Sequence, residues 1–323
     1  MNAEEVVFFD SPKALNNMTG EWIKLYRKNP YLRELTIQDL SDREADIAQN
    51  MMRFDEVRQK YVPIFNIGKD GIYRPVRNLD WLRMYTEVYE EFRSRGTKAL
   101  KLPSMAEMFD CQKRLLKTQA VRPKLIEASK QSMDNYELPK LLFRYSKRKY
   151  NEEFLKKGML RISLSSIYDD STLLRSQRDQ EAKMDIPKSE RVFETDDFYT
   201  VCFSSLYSYR MYCEFSADSC VVIRNIEEFK KRFLKSIRIH NSDAANIRIS
   251  RADLSPIFYY DPLNILLPTE GREIALSKPF RFAYQHEFRV ALLPSKPSQL
   301  KSFDIELGPL DDIAELVLTD VVN

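Results

Sequence analysis

Gln285, Glu287 and Arg289 stand at every second position in the stretch Ser277 to Leu293, S-K-P-F-R-F-A-Y-Q-H-E-F-R-V-A-L-L. Residues two apart share one face of an extended strand. An amide, a carboxylate and a guanidinium would then point one way, while Phe282, Tyr284, His286, Phe288 and Val290 point the other. Two readings fit this pattern. One is a half-buried edge strand with a wet face, as many antiparallel sheets contain. In the other, Gln285 and Glu287 project from a rigid element into a cleft, where a carboxylate holds a ribose hydroxyl and stabilises positive charge developing at a glycosidic carbon. His286 faces away from Glu287 by alternation and is not a candidate general base.

Elements able to position these groups must come from a chain of 323 residues, enough for one large domain or two ordinary ones with a real core. The net charge of +3 gives no general pull towards nucleic acid. Cys111, Cys202, Cys213 and Cys220 form no CxxC pair, and with only His240 and His286 beside them they lack metal-ligand spacing. They read as reduced thiols, and no metal is expected. The start, M-N-A-E-E-V-V-F-F-D, has neither the basic opening nor the apolar run of a signal peptide, and no stretch is long enough to span a bilayer. A cytoplasmic protein without a membrane partner is expected. The seven glycines form neither GxGxxG nor GxxxxGK[ST], which excludes the usual dinucleotide turn and the P-loop.

Residues 1–137 read as a mostly helical domain. Ser11-Pro12 starts one helix, Thr36 a second running to Phe54 and Val57, and Asn78 a third that stops at Gly96. The segment between Pro63 and Pro75, with Gly68 and Gly71, reads as a hairpin. Ser104 with Glu107 forms a capping box, and a short helix follows Pro123. The Met and Tyr stripes here match a helical core, and this half names no chemistry.

The texture changes near Tyr136 to Pro139. Residues 138–323 carry strand-like runs: L-L-F-R-Y-S, M-L-R-I-S-L, F-Y-T-V-C-F-S-S, S-C-V-V-I-R, I-F-Y-Y, the Gln285 stretch and A-E-L-V-L-T. A short helix, N-E-E-F-L-K-K-G, closes at Gly158 between the first two. Tyr168 to Asp197 is charge-rich and reads as a solvated loop or surface helix. The expected fold class is α+β.

Four segments together resemble a known family: L-F-R-Y-S at 142–146, E-E-F-L-K-K-G-M-L-R-I-S at 152–163, V-C-F-S-S at 201–205 and K-P-F-R-F-A-Y-Q-H-E-F-R at 278–289. They look like a family of mostly bacterial domains, long of unknown function, placed in the ADP-ribosyltransferase superfamily. The first two are also similar to the opening of the poly(ADP-ribose) polymerase catalytic core. The resemblance covers about residues 141–323 and implies a split β-sheet domain behind the helical one. It places Arg144, with Tyr145 beside it, where the superfamily binds NAD, Ser204 with Ser205 on the middle Ser-containing strand, and Gln285 and Glu287 in a Q-x-E version of the last motif, Glu287 being catalytic. Tyr168 and Tyr209 are candidates to stack on the nicotinamide ring, although both also suit core packing. The sequence departs from the family at Ile167-Tyr168-Asp169-Asp170, where Phe-Asn-Asp is common, at Tyr209, Met211 and Tyr212, where a Trp-containing stretch is common, and at Gln285, usually Glu.

The implied function is NAD-dependent mono-ADP-ribosylation of a macromolecule, RNA, DNA or protein, with release of nicotinamide. A bacterial toxin or antiviral-defence effector with a cognate antitoxin protein is the implied setting. An NAD glycohydrolase and an inactive nucleotide- or partner-binding module are the alternatives.

Overall fold

The computed structural model describes residues 12–55, 60–63, 65–67, 73–75, 79–100, 124–125, 128, 139–170, 172, 183–186, 191–243, 248–263, 274–295 and 301–319. The chain divides into two compact units, Met1–Glu107 and Met108–Asn323. The division precedes the textural break at Tyr136 to Pro139, and Leu125 and Ala128 pack into the core of the second unit. Ser11, Asn78, Ser104 and Glu107, named above as caps, lie outside the described residues.

The first unit contains helices α1 (Pro12–Lys28), α2 (Ile37–Met51) and α3 (Leu79–Ser94), with short strands β1 (Met52–Asp55), β2 (Lys60–Pro63), β3 (Phe65–Ile67) and β4 (Tyr73–Pro75). Thr36 and Asp39 cap α2 reciprocally: Thr36 Oγ1 accepts the Asp39 N–H at 3.1 Å, and the Thr36 N–H reaches the Asp39 carboxylate at 3.3 Å. The chain leaves the helix at Met51, so Phe54 belongs to β1 and not to α2 as its spacing predicts. Strands β3 and β4 pair antiparallel, as the Pro63 to Pro75 segment suggests. Three carboxylates on α3 are buried, and each has a partner from the α1 region. Tyr31 Oη donates to Glu87 at 2.6 Å, Arg27 Nε to Glu90 at 2.8 Å and Tyr26 Oη to Glu91. Gly96, at φ +63°, ends the helix in the left-handed region.

The second unit is α+β. Its elements are β5 (Leu142–Ser146), α4 (Arg148–Lys157), β6 (Met159–Leu164), a 3₁₀ turn (Ser165–Asp169), β7 (Lys183–Ile186), β8 (Arg191–Glu194), β9 (Tyr199–Ser204), α5 (Tyr209–Glu214), β10 (Ser219–Ile223), α6 (Ile226–Asp243), β11 (Ile249–Pro256), β12 (Phe258–Tyr260), β13 (Ser277–Pro279), a second 3₁₀ turn (Phe280–Gln285), β14 (Glu287–Pro294), β15 (Phe303–Glu306) and β16 (Ala314–Leu318). Strands β7 and β8 pair antiparallel inside the charge-rich segment that reads as a loop or helix from sequence.

The main sheet is antiparallel, in the order β11-β14-β9-β5-β10-β16, with β6 also on β9 and β15 on β6. One edge of β9 is shared. At its end Ser204 pairs with Phe143 of β5, while at its start Thr200 and Tyr199 pair with Ser163 and Leu164 of β6. β5 and β6 therefore part from one another along β9.

Period-two alternation gives the sheet two apolar faces. Leu142, Val201, Phe203, Val221, Ile223, Phe288, Val290 and Leu292 face a core completed by Phe154 of α4 and Phe229, Phe233 and Ile237 of α6. Phe143, Cys220 and Val222 face the other way, against Tyr207, Tyr209 and Tyr212. Gly158 joins α4 to β6 at φ +71°, and a Cβ there would lie 2.2 Å from Gly308 O, so only glycine fits. Cys202 and Cys220 are free thiols, as expected, whereas Cys213 is disulfide-bonded. Cysteine spacing does not reveal a pairing that the fold creates. No described helix is long and apolar enough to cross a membrane.

Candidate functional site

Glu287 is the first residue of β14 and stands directly opposite Ser204, the last residue of β9. Directly paired residues of antiparallel strands project from the same face. Ser204 in turn pairs with Phe143, so Glu287, Ser204 and Phe143 share one face of the sheet.

Gln285 reaches this group by a route that alternation does not predict. A strand from Phe282 to Val290 is expected, but Phe280–Gln285 forms a 3₁₀ turn and β14 begins only at Glu287. Between them His286 adopts φ 44°, in the left-handed region. Pro279, at φ −55°, immediately precedes the turn. A non-glycine residue held at positive φ costs about 1–3 kcal/mol and persists where its surroundings fix it. Ser205 fixes it here: its N–H and its hydroxyl both donate to His286 O, at 2.8 and 3.0 Å. Ser204 Oγ lies 2.7 Å from Gln285 O and accepts the Leu206 N–H at 3.1 Å. The two serines thus clamp the turn that delivers Gln285 and Glu287.

The Glu287 carboxylate is 4% exposed and engaged at both oxygens. Arg289 Nε lies 2.7 Å from Oε1, and Lys278 Nζ 2.8 Å from Oε2. Arg289 is fully buried and also donates from Nη1 to Ala275 O at 2.8 Å. Lys278, from β13, reaches Gln285 Oε1 at 3.4 Å and lies 4.9 Å from the centre of the Phe282 ring. The Glu287 N–H donates to Tyr259 Oη at 2.8 Å, and the Cys202 thiol also bonds the carboxylate. Burial alone would raise the Glu287 carboxyl; Arg289 and Lys278 outweigh it and hold the group at about 2. Glu287 is ionised throughout the physiological range.

Arg144 does not join this group. It neighbours Phe143 on β5 and so projects from the opposite face, where Nη1 donates to Asn151 Oδ1 of α4 and the guanidinium lies 5.1 Å from the Phe154 ring centre. Desolvation pushes it down to about 10, while Cys220 and Tyr168 act in the other direction. The register thus sets Arg144 and Glu287 on opposite faces of the sheet, whereas the resemblance implies that both serve one NAD site. Tyr145 lies on the Glu287 face, and its hydroxyl accepts the Ser208 N–H at 2.8 Å and donates to Leu206 O at 3.1 Å, bracing the loop after Ser204. Tyr209 is buried against Tyr207 in the aromatic cluster of the same face.

Three partners of the site escape sequence reasoning. Lys278 stands in the quoted K-P-F-R-F run, but nothing local relates it to a carboxylate nine positions on. Tyr259 belongs to the I-F-Y-Y run read only as a strand. Arg210 lies 3.1 Å from the centre of the Tyr284 ring, and Gln285 Nε2 lies 3.5 Å from the Tyr284 hydroxyl, which links a guanidinium of α5 to the Gln285 side of the cluster. Among the described residues no group of three or more His, Cys, Asp or Glu side chains is arranged to hold a metal ion.

A scan of the chain against protein-family models gives no match, and comparisons with curated proteins and with solved structures give none.

Proposed function

We propose that residues 138–323 form an ADP-ribosyltransferase-like domain that transfers ADP-ribose from NAD to a macromolecule, with Glu287 as the catalytic carboxylate. What supports this reading is the clamped turn: Ser204, Gln285 and an ionised Glu287, drawn from two strands and a 3₁₀ turn, come together on one sheet face. In the reaction the bond between the ribose carbon and the nicotinamide nitrogen breaks, and its electron pair leaves with neutral nicotinamide. The carboxylate hydrogen-bonds a ribose hydroxyl and stabilises the positive charge left on the sugar. The acceptor atom then forms the new bond to that carbon and loses its proton. Gln285, beside Glu287, would orient the acceptor.

The diphosphate needs a cation, for which Arg210, over the Tyr284 ring and paired with Glu214 at 2.9 Å, is a better candidate than Arg144. The helical unit would recognise the target or a cognate antitoxin, in a toxin or defence protein whose acceptor is nucleic acid or protein.

One observation favours a second reading. Both oxygens of Glu287 are engaged by Lys278 and Arg289, as in an inactive module whose carboxylate serves only the fold. Incubation with NAD labelled in the ADP-ribose part, together with a cell lysate, separates the readings. Nicotinamide release that Glu287→Gln abolishes supports catalysis, and its absence from the wild type supports the inactive module. Release without labelled macromolecule indicates a glycohydrolase.

A further inference from the structure

We propose that Lys278 is a displaceable latch: it occupies Glu287 Oε2 in the resting protein and yields that oxygen to the ribose hydroxyl when NAD binds. The inference rests on the transferase reading above and assigns Lys278 a positioning role within it.

Both cations on Glu287 are buried, Lys278 at 5% exposure, but they are anchored differently. Arg289 follows it by two residues on the same strand, is fully buried, and is anchored a second time on Ala275 O. Its planar guanidinium, bonded at two places, makes it a fixed holder of Oε1. Lys278 comes from the three-residue strand β13, which among the described residues pairs only with the equally short β12. Its ammonium is a compact charge on a flexible stem with three donors. Two other acceptors stand next to it: Gln285 Oε1 at 3.4 Å and the face of the Phe282 ring, whose centre is 4.9 Å away. Nζ can therefore leave Oε2 and keep partners. Cys202 and Tyr259 also bond Glu287, and neither carries a positive charge. Release of Oε2 has a chemical consequence as well. A carboxylate that exchanges an ammonium for a neutral hydroxyl has more negative charge to set against the oxocarbenium-like sugar.

The test compares Lys278→Met, Lys278→Arg and the wild-type full-length protein by nicotinamide release over a range of NAD concentrations and pH. A latch that competes with substrate predicts that Lys278→Met lowers KM for NAD severalfold and leaves kcat within about twofold. Loss of one of two cations also moves the acidic limb of the kcat/KM profile upward for Lys278→Met, whereas Lys278→Arg keeps the wild-type limb. Circular dichroism of each variant establishes that it is folded, and Lys278→Gln replaces Lys278→Met if the latter is not. Release by the wild type with KM and limb unmoved in the variant, or with kcat reduced at constant KM, overturns the latch and leaves the transferase reading standing. Release by Lys278→Met alone, from a silent wild type, overturns the latch, because Lys278 then does not yield to NAD. Silence of both folded proteins overturns the transferase reading and the latch with it.

Discussion

Arg289 Nε meets Glu287 Oε1 at 2.7 Å on the same strand, with the arginine fully buried and the glutamate 4% exposed. A buried pair of this kind adds little to stability compared with an apolar pair of the same volume, but removing one member strands the other charge. Arg289→Ala is therefore expected to cost about 3–5 kcal/mol in urea unfolding. A loss below about 1 kcal/mol would show that Lys278 alone satisfies the carboxylate.

The pH dependence of stability carries a signature of the same cluster. The folded protein holds Glu287 at about 2, below its ordinary 4.5, so the carboxylate contributes stability that is full above about 4.5 and is lost as pH falls towards 2. Unfolding free energies measured between those limits should fall with pH in the wild type and fall less steeply in Glu287→Gln. Equal slopes would mean that the carboxylate is not held by its two cations.

Ser204→Ala removes the hydroxyl that tethers Gln285 O and accepts the Leu206 N–H. The expected cost is about 1–3 kcal/mol, because buried backbone groups lose a partner. Displacement of the turn should lower kcat for nicotinamide release with little change in KM. Wild-type stability together with wild-type kcat would remove Ser204 from the clamp.

The opposite facing of Arg144 and Glu287 also has a measurable consequence. Arg144→Met should leave KM for NAD within about twofold, since a residue on the far face of the sheet acts independently of the Glu287 group. A tenfold rise in KM would return Arg144 to the ligand and show that NAD binds where β5 and β6 part.

Much of the second unit is legible in the sequence, because β5, β6, β9, β10 and β16 are runs of β-branched and aromatic residues and Gly158 marks the end of α4. β11 escapes notice because, as an edge strand, it carries Arg251, Asp253 and Ser255 without a clean apolar run. The site is half legible. Glu287 and Ser204 stand opposite one another in the register, yet Phe282 to Gln285 mimics a strand, since aromatic and polar residues alternating by chance in a 3₁₀ turn also repeat at two. Alternation does tell that Arg144 and Tyr145 face opposite ways. Which of them shares a face with Glu287 is set by the pairing of β5, β9 and β14, and strands far apart in the chain leave no local trace of their register.

The most direct test of the account is nicotinamide release from NAD by the full-length protein, measured beside Glu287→Gln with both shown to be folded. The account predicts release by the wild type and a loss of at least about a hundredfold in the variant, the scale expected when a group that stabilises transition-state charge is removed. Equal release by the two proteins, or none from the wild type, would contradict it.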